Sequence, residues 1–243
     1  MTKIIILAAG KGRRMNSDLP KVLVRLAGKS IIEHLMEEVL KSGVDKRPII
    51  IVSPDNKEII RAALAKYNLE YAVQKEQLGT AHAVSSARDY AETAAKVIII
   101  NGDHPFIRAE IIKKLADAEG ATITMLTTVV DDFSDWRKNF YQWGRIAREN
   151  EKIKAIVEFK DADEKIKEIK EVNPAIYAFN SKWLWENIRK IKNKNASKEY
   201  YLTDLIKLAF WQKEKINSIL IDPKEAMGIN SKEELEVAEK LIK

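Results

Sequence analysis

Residues 7 to 21 concentrate groups suited to holding phosphate: Leu7-Ala8-Ala9-Gly10-Lys11-Gly12-Arg13-Arg14-Met15, then Leu19-Pro20-Lys21. Small residues at the end of a strand let the backbone approach a ligand closely. Successive backbone N–H groups can cradle a phosphate, with Lys11, Arg13, Arg14 and Lys21 supplying cations. Two familiar phosphate motifs do not fit. A dinucleotide fingerprint needs a third glycine where Met15 stands, and a P-loop needs a glycine five residues before Gly28-Lys29-Ser30, where Leu23 stands. Further along, Gln74 and Gly79-Thr80 offer a second kind of chemistry. A side-chain amide presents a donor and an acceptor, which matches the imide edge of uracil, and Gly79 lets backbone come close to a base. Asp103 offers a third. A carboxylate at a strand end suits a hard cation such as Mg²⁺, which takes one or two protein oxygens together with phosphate oxygens and water. Asn230 supplies an amide oxygen from far along the chain.

These residues need a scaffold that brings them together. Lys3–Leu7, Ile49–Val52, Tyr71–Val73 and Val97–Ile100 read as strands, the first a continuous apolar run of the kind buried on both faces of a parallel sheet. Helices are predicted between them. One starts at Ser30, with Ser30 and Glu33 as a capping box and Gly43 as its stop. Others run from Pro54-Asp55 to about Lys66, from a Thr80 cap to about Thr93, and over about Arg108–Ala118. The β-α alternation predicts an α/β fold: a Rossmann-like, doubly wound, mostly parallel sheet with right-handed crossovers. Ligands in such folds bind beyond the carboxyl ends of the strands, where the loops beginning at Gly10, Gln74 and Asn101 all lie.

The second half reads as a β-rich insertion. Thr122–Val130 is a strand, and Gly144–Arg148 and Lys154–Phe159 form a hairpin around Glu149–Lys152. Val172–Phe179 is a single strand. Helices follow at about Ser181–Lys192 and Leu202–Lys213, then a strand Ile216–Ile221 and a helix capped by Ser231 and Glu234. With no linker, repeat or low-complexity tract, the expectation is one domain over 1–243, with parts at 1–120 and 121–230 and a C-terminal helix at 231–243. His34 is expected to pack on a helix face, His82 and His104 to be structural or to support the site from behind, and Trp183, Trp185 and Trp211 to pack in the core or between helices.

Composition bounds the function classes. There is no Cys, which excludes disulfides, thiolate zinc sites and Cys nucleophiles, and three His make a structural zinc site unexpected. No apolar run approaches a bilayer span, and no secretory signal is recognisable. A cytoplasmic setting with no membrane partner is expected. The net charge of +6 sits in two blocks. Residues 11–25 carry five cations and one acid, and residues 182–198 carry six and one. Without a distributed basic face or a recognisable module, nucleic acid is not expected as a partner.

The first loop with Pro20-Lys21-Val22-Leu23 resembles the signature of sugar-1-phosphate nucleotidylyltransferases. Gln74-Lys75-Glu76-Gln77-Leu78-Gly79-Thr80-Ala81-His82-Ala83, Asn101-Gly102-Asp103, Trp143-Gly144-Arg145-Ile146, Ile156-Val157-Glu158, Glu171-Val172-Asn173, Tyr200-Tyr201-Leu202-Thr203-Asp204 and Gly228-Ile229-Asn230 occur in family order and spacing. Together they resemble the N-terminal uridylyltransferase domain of bacterial bifunctional N-acetylglucosamine-1-phosphate uridylyltransferase/glucosamine-1-phosphate acetyltransferase, over nearly the whole chain.

The resemblance implies UTP and a sugar 1-phosphate, N-acetylglucosamine 1-phosphate, as substrates and Mg²⁺ as cofactor. It implies that Leu7, Ala8, Ala9, Gly10, Gln74, Gly79 and Thr80 hold the nucleotide and that Asp103 and Asn230 hold the metal. Arg14 and Lys21 would be catalytic, on the leaving pyrophosphate and the reacting phosphate, and Gly102, Gly144, Glu158 and Asn173 would bind the sugar. The sequence departs from the family pattern at Arg13, at His104, at Tyr141-Gln142-Trp143 and at Pro174-Ala175. Proline fixes φ and removes a donor, so the sugar pocket is expected to differ. Nothing after Asn230 resembles the family's left-handed β-helix, and a monomer or weak dimer is expected without it. The rival readings are a nucleotidyltransferase using another sugar 1-phosphate or phosphocholine with CTP, and a non-catalytic nucleotide-sugar binding protein.

Overall fold

A computed structural model describes residues 1–243 except Lys11, Asn16, Asp18 and Lys243 and the side chain of Arg13. Two of the cations expected around a phosphate, Lys11 and the Arg13 side chain, therefore lie outside the described residues.

The chain opens with β1 (Thr2–Leu7), the glycine-containing loop with two short 3-10 turns, and a small hairpin, β2 (Arg25–Leu26) and β3 (Lys29–Ser30). Then come α1 (Ile31–Lys41), β4 (Ile49–Val52), α2 (Lys57–Ala63), β5 (Glu70–Val73), α3 (Thr80–Ser85), α4 (Arg88–Ala91), β6 (Lys96–Asn101) and α5 (Ala109–Asp117). The β-rich part follows as β7 (Ile123–Val129), β8 (Arg145–Glu149), β9 (Lys152–Val157), α6 (Glu164–Lys167), β10 (Glu171–Val172) and β11 (Tyr177–Asn180). The chain closes with α7 (Ser181–Asn187), α8 (Asp204–Trp211), β12 (Ile216–Leu220), α9 (Pro223–Ala226) and α10 (Lys232–Leu241).

One sheet runs β5-β4-β1-β6-β11-β7, with β12 parallel to β7 and the hairpin β8-β9 joined through β10. β5, β4, β1 and β6 are parallel, and β11 turns antiparallel against β6. This is the expected mixed α/β fold with a mostly parallel centre. Alternating residues of the central strands serve opposite faces, as a period of two requires. Ile4, Ile6, Ile50, Val52, Ile98 and Ile100 pack against α1 and α5 residues such as Leu35 and Ile112. Ile5, Ile49, Ile51, Val97 and Ile99 pack with Val84, Leu184 and Leu205 on the other side. Each such side chain is fully buried and contributes roughly 1.5–3 kcal/mol of transfer free energy. Strand order reverses at β1, since the chain next pairs β4 on one side and later β6 on the other. A cleft opens beyond the carboxyl ends of strands at such a reversal, and the loops after Leu7, Val73 and Asn101 meet there.

Several local expectations change. The single strand Val172–Phe179 is split into β10 and β11, because Pro174 has no N–H for the ladder and Ala175 takes a left-handed conformation at φ 58°. The helix expected from a Thr80 cap is interrupted between α3 and α4, and its N-cap is Gly79. Trp183 and Trp185 are buried as expected, whereas Trp211 is 67% exposed. Among the described residues no helix is long and apolar enough to cross a membrane.

The α1 capping box forms as expected. The Glu33 carboxylate accepts from Ser30 N at 2.9 Å and Ser30 Oγ at 2.8 Å, and its second oxygen meets Lys66 Nζ at 2.7 Å. The Lys66 contact and then the Ser30 amide hold its pKa down at about 2, against an ordinary 4.5. A pKa lowered by folding stabilises the native state above the unfolded value and stops doing so as pH falls through the folded one. Glu33→Gln should therefore cost about 1 kcal/mol at neutral pH. The deficit should shrink as pH drops below about 4.5, which denaturant titrations of both proteins at several pH values would read.

Candidate active site

Gly12 shows why this loop contains glycine. It sits at φ +58°, and a Cβ there would lie 2.5 Å from Lys21 Cβ. The glycine lets the loop pack onto Lys21. Gly10 has nothing within 4 Å of a Cβ. Gly12→Ala is expected to displace Lys21 and lower turnover about a hundredfold, the scale of a misplacement by about 1 Å. Gly10→Ala should meet no protein atom. Initial rates of the two variants separate these effects.

Lys21 is the centre of the site. Its Nζ donates to Asp103 Oδ2 in a close ion pair and to Asn230 Oδ1 at 2.8 Å. These partners lie 82 and 209 residues away in sequence. Asp103 leaves the end of β6, and its backbone carbonyl accepts from Ile229 N at 2.9 Å, which pins the segment carrying Asn230. The Glu234 carboxylate accepts from the Asn230 amide, and Ser231 Oγ caps α10 at Glu234 N, 3.2 Å. Burial would push the Asp103 carboxyl up, but the Lys21 ammonium, His104 and hydrogen bonds to the carboxylate together outweigh it and hold the group below the usual carboxylate range. Asp103 Oδ1 is buried without a hydrogen-bond partner. An orphaned carboxylate oxygen beside a convergent amide oxygen is a donor set that a hard cation would satisfy. Among the described residues no group of three or more His, Asp or Glu is placed to hold a metal. A cation here would therefore draw on the Asp103–Asn230 pair and complete its shell with substrate oxygens and water.

His104 packs beneath this centre. Its ring is buried, Nδ1 lies 2.9 Å from Ala226 O, Nε2 lies 3.7 Å from Asp103 Oδ1, and Trp143 meets it edge-on at 6.0 Å. Burial lowers its pKa most, despite the neighbouring Asp103.

A cavity of about 310 Å³ opens beside Lys21, lined by Leu7, Ala8, Ala9, Gly10, Gln74, Gly79, Thr80 and Asp103. The structure thus gathers the proposed nucleotide residues at one place. Gln74 is buried, and its Nε2 donates to Gly79 O at 3.2 Å and lies 3.3 Å from His82 Nδ1. The amide nitrogen is engaged within the protein, so the carbonyl oxygen is the atom left for the N–H of a base. Gly79 adopts φ +113°, and a Cβ would sit 2.6 Å from Tyr200 O. Thr80 Oγ1 accepts from Leu202 N at 2.9 Å. Its hydroxyl ties the loop to the 199–203 segment and does not cap the helix.

The proposed sugar residues form a neighbouring cluster. Gly144 O accepts from Asn173 N at 3.0 Å, and a Cβ on Gly144 would lie 2.8 Å from Ile156 Cγ2 and 3.5 Å from Glu158 Oε2. Glu158 accepts from Thr203 Oγ1 at 2.9 Å, and burial is the main cause raising its pKa. Asn173 donates from Nδ2 to Tyr177 Oη at 2.7 Å and accepts at Oδ1 from Ala175 N at 3.0 Å. One Nδ2 hydrogen and one lone pair remain for a ligand. Gly102 stands apart from this cluster. It is buried under β1, its N–H bonds Leu7 O at 2.9 Å, and a Cβ would meet Leu7 O at 3.0 Å and Val22 at 3.2 Å.

Sequence reasoning gave no role to the 199–203 segment, although it noted the Tyr-Tyr-Leu-Thr-Asp string. Glu199 lines the same cavity as Gln74, Tyr200 covers Gly79, Leu202 holds Thr80, and Thr203 holds Glu158. Gln77 was also missed; its Nε2 donates to Ala9 O at 2.6 Å and locks the loop after β1. Arg14 lies elsewhere, in a second cavity on the Asn230 side of Lys21 with Lys138, Asn139, Gln142, Trp143, Lys160 and Glu234.

Residues 4–200 match the family described as MobA-like NTP transferase domain. The chain is 37% identical over 243 residues to the bifunctional protein GlmU of Clostridium perfringens, covering 98% of this chain and 52% of that one. It is 39% identical over 245 residues to the GlmU of Caldicellulosiruptor saccharolyticus, covering 98% and 51%. The chain spans about half the length of these curated relatives. The structure of an inositol-1-phosphate CTP transferase from T. maritima superposes with a TM-score of 0.75 at 17% identity, over 98% of this chain and 95% of that one, and shares the fold.

Proposed function

This chain belongs to the MobA-like NTP transferase family and is a nucleotidyltransferase, and from that premise we propose that it transfers UMP from UTP to N-acetylglucosamine 1-phosphate. The products are UDP-N-acetylglucosamine and pyrophosphate. The observation that carries this reading is the meeting of Lys21 with Asp103 and Asn230 at the edge of a cavity lined by Leu7–Gly10, Gln74 and Gly79. The GlmU relatives and the motif order favour UTP and the amino-sugar phosphate over other pairs.

The chemistry asks for positioning and charge neutralisation. A phosphate oxygen of the acceptor is already anionic, so no general base is needed. It forms a bond to the α-phosphorus in line, the α–β bridging bond breaks, and the electron pair leaves on pyrophosphate. The backbone of Leu7–Gly10 and the Gln74 oxygen hold the uridine. Lys21 donates to the oxygens of the reacting phosphate, for which it must turn from Asp103 and Asn230. Those two side chains would hold Mg²⁺, which supplies charge neutralisation at the α-phosphate. Gly144 lets the segment pack onto Ile156 beside Glu158, and Glu158, oriented by Thr203, accepts from a sugar hydroxyl. Purified protein tested against each NTP with N-acetylglucosamine 1-phosphate, other sugar 1-phosphates and phosphocholine, read by pyrophosphate release, checks the assignment. The UTP and N-acetylglucosamine 1-phosphate pair should be turned over fastest. Faster release with CTP and phosphocholine would replace this reading.

A further inference from the structure

We infer that His104 Nε2 is a third protein ligand, beside Asp103 and Asn230, for a divalent cation, and that it turns the centre toward first-row transition ions over Mg²⁺. The inference rests on the metal role proposed above for that pair. His104 is one of the positions at which the sequence departs from the family pattern, so the nitrogen is this chain's own addition to the pair. Its imidazole is held as a ligating histidine is. Nδ1 lies 2.9 Å from Ala226 O, 122 residues along the chain. A carbonyl only accepts, so Nδ1 carries the hydrogen and, in the neutral ring, Nε2 carries the lone pair. Metal-binding histidines commonly fix their tautomer in this way, giving the second ring N–H to a backbone carbonyl. Trp143 meets the ring edge-on at 6.0 Å. Gly228 leaves the Nε2 edge uncrowded: a Cβ there would stand 3.3 Å from Cε1 and 3.4 Å from Nε2.

Nε2 lies 3.7 Å from Asp103 Oδ1, too far for a hydrogen bond. Both atoms are electron-pair donors, and Oδ1 is buried with no hydrogen-bond partner. Two such donors side by side repel each other unless a cation stands between them. Donors about 2.1 Å from one ion can be up to about 4.2 Å apart, so the observed 3.7 Å lies within the span of a shared ion. The two oxygens of Asp103 divide their work. Oδ2 meets Lys21, which also donates to Asn230 Oδ1 at 2.8 Å, and Oδ1 meets the His104 side. When Lys21 turns to the reacting phosphate, Asn230 Oδ1 is released to the cation. An all-oxygen pair suits Mg²⁺. An imidazole nitrogen favours the first-row transition ions instead, in an order that rises from Mn²⁺ to Co²⁺.

The test is pulsed EPR of the whole chain with Mn²⁺ and UTP, without acceptor, on protein grown with ordinary and with ¹⁵N-labelled histidine. A nitrogen modulation that changes with the label is expected in the wild type. It should vanish in His104→Asn, whose shorter amide can still donate to Ala226 O from the place of Nδ1 but puts nothing at Nε2. A melt checks that this variant folds, and the wild-type spectrum stands without it. Titrating Mg²⁺ into the same samples gives a second readout. The Mg²⁺ concentration that displaces half of the bound Mn²⁺ should be about tenfold lower in the variant, the scale on which losing a group around a metal acts. Bound Mn²⁺ with no label-dependent nitrogen overturns the proposal and leaves His104 as packing beside an oxygen-only site. A label-dependent signal that persists in His104→Asn also overturns it, since another histidine would then be the ligand. An unchanged displacement overturns the preference for transition ions. Absence of Mn²⁺ from the wild type overturns it together with the metal role of Asp103 and Asn230. No acceptor is present, so failure here is separate from failure of the UMP-transfer reading, which pyrophosphate release from the substrate pairs decides.

Discussion

Asp103→Ala is expected to lower turnover about a thousandfold or more, the scale on which removing one preorganised electrostatic group from a transition state acts. The carboxylate has two duties at the proposed centre. It would hold the cation that neutralises the α-phosphate, and its ion pair keeps Lys21 at the centre until that ammonium turns to the substrate phosphate. Alanine removes both. The fold should survive, because the contact anchoring the Asn230 segment is Asp103's own backbone carbonyl, which the substitution leaves in place. Lys21 keeps Asn230 Oδ1 at 2.8 Å, and its side chain retains some exposure to water. Steady-state rates with UTP and the acceptor, alongside a thermal melt, read the two effects. A large rate loss with a nearly unchanged melt is expected, and a rate near wild type would remove Asp103 from the centre.

Arg145→Met should have the largest effect on stability, a loss of about 3 kcal/mol, since each orphaned buried carbonyl costs roughly 1–3 kcal/mol and local relaxation recovers part of it. Arg145 is fully buried, and among the described residues no carboxylate pairs with it. Its guanidinium donates to Tyr141 O at 2.7 Å, to Lys167 O at 3.2 Å and to Trp143 O. The same group lies 4.7 Å from the centre of the Phe133 ring and 5.6 Å from that of Phe159. Carbonyl dipoles and ring faces together replace the missing counter-ion. Methionine fills much of the space and satisfies none of the carbonyls. Arg145→Lys should recover only part of the loss, because a compact ammonium cannot span the same fork. The segment held this way carries Trp143 and Gly144, so the acceptor KM should rise with the loss of stability. Denaturant unfolding and acceptor saturation curves measure both. Wild-type stability in the methionine variant would mean that the cage is ornamental.

What could be read from the sequence follows a physical division. Continuous apolar runs announced β1, β4 and β6, and the Ser30–Glu33 box announced α1, because those signals are local. The β-α alternation placed the loops beginning at Gly10, Gln74 and Asn101 at the carboxyl edge of the sheet, where the structure has them. Long-range satisfaction was not legible. Thr80 looks like an N-cap by type, yet Leu202 N, 122 residues away, takes its hydroxyl. Gly12 looks like a phosphate glycine, and its constraint is the Cβ of Lys21. Val172–Phe179 has the composition of a single strand, but Pro174 and the Asn173–Ala175 bond break it. Arg145 stood out only as a member of the Trp143-Gly144-Arg145-Ile146 string, since nothing in a sequence says that three backbone carbonyls and a ring of aromatics will meet at one side chain.

Attack at the α-phosphorus of UTP should take place at the Lys21–Asp103–Asn230 centre. Incubation of the purified chain and Mg²⁺ with α-labelled UTP and N-acetylglucosamine 1-phosphate tests it most directly. The label should appear in UDP-N-acetylglucosamine, with unlabelled pyrophosphate released in equal amount and no transfer by the Asp103→Ala protein. Label recovered as free UMP or left in UTP, or transfer that persists without Asp103, would contradict it.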